Sequence, residues 1–147
     1  MRTEKLDEDG NGTFERIETQ TISMNAGVRT ELTVVKNGNG STRSRYQEEF
    51  DGNGQNRTLS HDLDGDGTFE LVEEIEIVVE ASGESTTENN RINADQTLRS
   101  STTTHLSADA RVKTVEADLD GDGVVDRVTE TENSYNATGN LNQTVTV

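Results

Sequence analysis

Residues 62–79 read DLDGDGTFELVEEIEIVV, and the second half of that stretch decides the fold. Leu71, Val72, Ile75, Val78 and Val79 fit one stripe of a helix. Phe69, Leu71, Ile75, Ile77 and Val79 equally share the parity of a strand. The rest of the chain breaks the tie. The acidic nonapeptide at 62–70 occurs twice more, as DEDGNGTFE at 7–15 and DLDGDGVVD at 118–126. It is followed there by RIETQTISM and RVTETENSY, which are Thr-rich and have no helical face. Segments in equivalent positions share a conformation, so all three are expected to be strands.

The nonapeptides begin at 7, 62 and 118, a recurrence of 55 and then 56 residues. Weaker turn signals keep the same register. Asn25–Gly27 answers to Ala81–Gly83 and to Asn136–Gly139, Asn37–Gly40 to Asn93–Gln96, and Asp51–Gly54 to Ser107–Ala110. Between them lie Thr- and Val-rich runs such as Val28, Thr30, Leu32 and Val34, which suit a pleated surface. Asn-Gly and Asp-Gly between alternating runs mark hairpins. The expectation is all-β: a repetitive antiparallel sheet array of about ten strands, four per 56-residue repeat. Its parts are a lead at 1–6, repeats at 7–61 and 62–117, and a partial repeat at 118–147. A β-solenoid or propeller-like blades are the alternative arrangements.

Composition narrows the function. Leu, Ile, Val and Phe supply only 30 of 147 residues and the net charge is −16, so a thick apolar core is excluded. Thirteen Lys and Arg against 29 Asp and Glu argue against nucleic acid. No apolar run approaches the length of a membrane span. Without cysteine there is no disulfide, thiolate metal site or cysteine nucleophile. The absence of proline favours long hydrogen-bonded ladders. MRTEKLDEDG carries no apolar stretch of the kind a cleavable signal needs.

The acidic loops carry the chemistry. In the middle loop Asp62, Asp64, Asp66 and Glu70 place oxygens at positions 1, 3, 5 and 9, with the Thr68 carbonyl at 7. Asp7, Asp9, Asn11, Thr13 and Glu15 stand at those positions in the first loop, and Asp118, Asp120, Asp122, Val124 and Asp126 in the third. Six to eight oxygens from one wrapped loop suit Ca2+, whereas Mg2+ prefers to keep its waters. Plain acidic turns would explain the Asp and Gly. They would not explain three alternating acids plus a carboxylate at position 9, which repel one another without a cation. Three Ca2+ sites are therefore expected. Glu49–Arg57, with arginine at position 9, and Asn37–Gly40, with no acid, are expected to be metal-free hairpins. Glu18 and Glu73 complete an EF-hand spacing in the first two loops, but the third has Thr129 there, and residues before Asp62 are not helical.

DLDGDGVVDRV resembles the calcium loop of integrin-type (FG-GAP/VCBS) repeats. The whole unit resembles the repeats of large bacterial RTX-like calcium-binding adhesins and other extracellular repeat proteins. SYNATGNL is also similar to YD-type repeats. The GGxGxDxUx nonapeptide of RTX β-rolls is absent, so that fold is not implied. The resemblance implies a calcium-rigidified structural module of an extracellular filament, stalk or adhesin. Its partners would be neighbouring repeats, copies of itself, or a host-surface or matrix ligand. A calcium-dependent propeller- or lectin-like binding module is the alternative, weakened by the scarcity of aromatics. No enzyme is expected: His61 and His105 stand alone and read as solvated, and Glu73, Glu74, Glu76 and Glu80 read as a solvated strand face. N-x-[ST] matches at Asn11, Asn39, Asn56, Asn136 and Asn142 only mildly exceed chance.

Hairpins throughout would put every acidic loop on one sheet edge, with successive loops about 19 Å apart at a strand spacing of about 4.8 Å. Phe14, Phe69 and Val125, at position 8 of the loops, would then line one sheltered stripe.

Overall fold

The computed structural model describes residues 1–135 and 141–147; the Asn136–Gly139 turn signal and the Asn136 match lie outside the described residues. The elements are β1 (Arg2–Leu6), β2 (Arg16–Asn25), β3 (Val28–Asn37), β4 (Thr42–Phe50), β5 (Arg57–Asp62) and β6 (Leu71–Val79). They continue with β7 (Ser85–Asn93), β8 (Leu98–Leu106), β9 (Val112–Asp118), β10 (Arg127–Tyr135) and β11 (Leu141–Thr146). They form one open sheet in sequence order, with no helix among the described residues. The all-β expectation holds. Four strands, β2–β5 and then β6–β9, separate successive acidic loops. Pairing is antiparallel between chain neighbours, as in β2–β3 and β9–β10, and not the parallel rungs of a solenoid.

The chain divides into two compact units, Met1–Glu74 with Asn93–Gln96, and Ile75–Ile92 with Thr97–Val147. In the first, the register sets Val34, Arg45 and Asp62 side by side across β3, β4 and β5. A bulge follows at Val35/Lys36, where Arg43 is the extra residue. The second unit repeats this layout: Asn90, Ser101 and Asp118 lie in one row across β7, β8 and β9, and a bulge falls at Arg91/Ile92 with Arg99 extra.

Turn chemistry explains why the strands end where they do. The N–H groups of Gly40, Gly54, Gly83, Gln96 and Ala110 each donate to the carbonyl three residues earlier. All five have positive φ, the left-handed residue that closes a bulged hairpin loop. The ambiguous stretch is strand β6: Leu71, Ile75 and Ile77 are half-buried, while Glu74, Glu76 and Glu80 are exposed. Glu73 departs from the solvated face expected of it and is half-buried.

Among the described residues the buried side chains are Ser60, Asp62, Ala117 and Asp118. Both pairs sit where a strand, β5 or β9, runs into an acidic loop. Burial is thus concentrated at the loops, and Ala117 is the sole buried apolar residue among those described.

The sheltered stripe does not form. Phe14 is 42 % and Val125 47 % exposed. The phenyl groups instead lie against cations of their own unit, Phe14 against Lys5 and Phe69 against Arg45, each with the charge 5.3 Å from the ring centre. Such contacts satisfy an aromatic face without a second apolar layer.

Candidate metal centre

The three acidic loops share one hydrogen-bond pattern. The position-1 carboxylate takes the N–H of both glycines. Asp7 accepts from Gly10 and Gly12 at 2.7 and 2.8 Å, Asp62 from Gly65 and Gly67 at 2.6 and 3.1 Å, and Asp118 from Gly121 and Gly123 at 2.7 and 2.9 Å. Position 9 folds back on position 2: Glu15 accepts from Glu8, Glu70 from Leu63 and Asp126 from Leu119. The position-9 N–H closes the loop by donating to the carbonyl of the residue just before position 1, that of Leu6, His61 or Ala117, at 2.8–3.0 Å. Asp9, Asp64 and Asp120 each accept the N–H of position 5, and Asn11, Asp66 and Asp122 that of position 7. Thr13, Thr68 and Val124 enter the pattern through those position-7 N–H groups.

This pattern turns the carboxylates toward a common point. Ligand oxygens of Asp62, Asp64, Asp66 and Glu70 lie within 4.8 Å of one another, and so do those of Asp7, Asp9 and Glu15, and of Asp118, Asp120 and Asp126. Asp122 stands outside the third group. Its middle-loop equivalent, Asp66, stands inside. Each cluster can hold a metal ion, and an all-oxygen donor set selects a hard cation.

The electrostatics agree with ionised carboxylates. The Gly12 N–H is the main cause of a lowered pKa at Asp7, with further help from Gly10 and Asn11. Burial pushes Asp62 up, but the Arg45 hydrogen bond and the Gly65 and Gly67 N–H groups outweigh it and the net is lowered. Asp118 is likewise pushed up by burial and brought lower by Gly123 and Gly121.

Two features of the site have no signature in the motif. One is Arg45, whose Nε donates to Asp62 Oδ2 at 2.7 Å from the neighbouring strand. Only the β4–β5 register places it there. The other is the bulge. A Cβ on Gly65 would overlap the Thr42 carbonyl and one on Gly121 the Leu98 carbonyl, so position 4 must be glycine where the bulged strand passes. In the first loop the crowding is reversed: a Cβ on Gly38 would strike the Phe14 carbonyl.

The other turns are built differently. At Glu49–Arg57 the position-9 arginine reaches Glu48 at 3.2 Å, and Asn37–Ser41 is closed by amide and hydroxyl groups. His61 is half-buried with its ring 4.9 Å from that of Tyr46, a contact the reading of a solvated histidine missed. His105 is exposed and 3.1 Å from the Thr86 hydroxyl.

Comparison with known protein families, curated proteins and solved structures gives no match.

Proposed function

We propose that the chain is a calcium-binding structural repeat module of an extracellular filament, stalk or adhesin. The observation that carries this reading is the convergence of carboxylates in three loops built on one hydrogen-bond pattern. Asp7, Asp9, Asn11 and Glu15 would hold the first ion, Asp62, Asp64, Asp66 and Glu70 the second, and Asp118, Asp120, Asp122 and Asp126 the third. A bound Ca2+ supplies the positive charge that lets these carboxylates stay together.

The burial pattern supports a structural role. With so little apolar burial, cross-linking the strand ends at each loop is the stabilisation available to this sheet. Three divalent ions add six charges and bring the net from −16 to −10. Calcium at extracellular, millimolar-class levels suits exposed loops of this kind. Chain-adjacent antiparallel pairing leaves β1 and β11 at the ends of the strand order, where a neighbouring repeat or copy would add a strand. The reading is non-catalytic.

Titration calorimetry of the full chain with CaCl2 tests it. Three sites are expected, and Glu70→Ala should leave two. A chain that takes up no calcium overturns the proposal.

A further inference from the structure

The three loops are alike in their own hydrogen bonds and unlike in what faces them. Across from Asp62 stands Arg45. Across from Asp118, at the same register position, stands Ser101. The Asp62 side chain is 0 % exposed and its Arg45 partner 30 %. The guanidinium does more than pair with that carboxylate. Its Nη2 lies 3.6 Å from where a Cβ on Gly67 would be, and its Cζ lies 5.3 Å from the Phe69 ring centre. It therefore spans positions 1, 6 and 8 of the middle loop. In the third loop, a Cβ on Gly123 would meet nothing within 4 Å, and Val125 at position 8 is exposed.

We infer that Arg45 is the resident counter-cation of the middle loop, holding that loop in its folded form when metal is withdrawn, while the third loop depends on metal. This rests on the calcium reading and deepens it by making the response to calcium graded. The physical reason is local charge. Asp62, Asp64, Asp66 and Glu70 crowd four negative charges together, and a fixed guanidinium donating to the buried one offsets part of their repulsion. In the third loop Asp118, Asp120 and Asp126 cluster, with Asp122 outside the group. The buried Asp118 accepts from the Gly121 and Gly123 N–H groups, while an uncharged serine stands across from it. A fall in calcium would then loosen the third loop first and leave the Asp62 loop as a persistent joint.

The internal repeat supplies the swap variants Arg45→Ser and Ser101→Arg. The measurement is amide hydrogen exchange of the full 15N-labelled chain, in excess CaCl2 and in EDTA, read at Gly65, Gly67, Gly121 and Gly123. In the wild type, EDTA should cost Gly121 and Gly123 at least about tenfold more protection than Gly65 and Gly67. Arg45→Ser should bring the middle loop down to the third. Ser101→Arg should bring the third up to the middle, and it keeps the test decisive where Arg45→Ser fails to fold. Equal loss in both wild-type loops, or a Ser101→Arg protein whose third loop is as metal-dependent as before, overturns the inference. A wild type in which EDTA changes neither loop and calorimetry finds no calcium overturns the calcium reading instead. Arg45 is then still judged by whether Arg45→Ser lowers Gly65 and Gly67 protection.

Discussion

At the scale of single residues, the acidic loops separate two demands on glycine. Gly121 and Gly123 both have positive φ, at 78° and 86°. Only Gly121 also faces a carbonyl, that of Leu98. Gly123→Ala should therefore cost only the left-handed penalty, about 1 kcal/mol. Gly121→Ala should cost roughly 2–4 kcal/mol, because the bulged strand must move as well. Urea melts of the two variants in calcium check the order; equal losses would mean that the bulge and the loop are not in contact. Protonation acts on the same loops. Asp7, Asp62 and Asp118 all titrate below the ordinary value of 3.8 in the folded chain. Carboxylates with depressed native pKa values contribute stability that is complete above the unfolded value and lost as pH falls through the folded one. The metal-free protein should thus hold its stability down to about pH 4 and lose it below. Acid titration in EDTA followed by circular dichroism measures this; a midpoint well above about pH 4 would show that these three carboxylates do not set the transition.

At the scale of elements, equivalent turns keep one geometry whether or not they carry glycine. Gly40 and Gly54 have Gln96 and Ala110 as their equivalents, and all four keep positive φ. Ala110 carries φ of 56° in a turn closed by its N–H to the Ser107 carbonyl. Ala110→Gly should stabilise the chain by roughly 0.5–1 kcal/mol, the left-handed strain relieved less the extra entropy of glycine in the unfolded chain. A raised melting temperature is the expected result, and a lowered one would contradict the turn assignment. Strand identity in this region was legible in the sequence because Leu71, Ile75 and Ile77 alternate, and because 16–24 and 127–135 are unsuited to a helix. The carboxylate clusters of the loops were legible because their spacing is local. Arg45 was not, since its contact with Asp62 depends on a β4–β5 register that no short motif encodes. The same limit explains Phe14 and Val125. Equivalence in the repeat fixed where they stand on their loops, but not whether a second apolar layer would cover them.

At the scale of the whole molecule, the buried positions among the described residues include two carboxylates and a single apolar side chain, so stability should be set by ions more than by apolar burial. Ser60 with Asp62, and Ala117 with Asp118, are buried at the point where a strand hands over to an acidic loop. Ions bound only to the folded chain stabilise it by mass action, each contributing about 2.7 kcal/mol when free calcium is a hundred times its dissociation constant. Three sites would supply about 8 kcal/mol, comparable to the entire stability of an ordinary domain. For a chain of this size each kcal/mol moves the midpoint by a few degrees, so excess EDTA should lower the melting temperature by roughly 20 °C or more. The drop should shrink as calcium is lowered toward the dissociation constants, because the contribution is logarithmic in free ion. Differential scanning calorimetry over a calcium series reads that slope directly. A melting temperature independent of calcium would mean that backbone ladders and cation–aromatic contacts such as Arg45 with Phe69 hold the sheet unaided, and that ions at the loops are passengers.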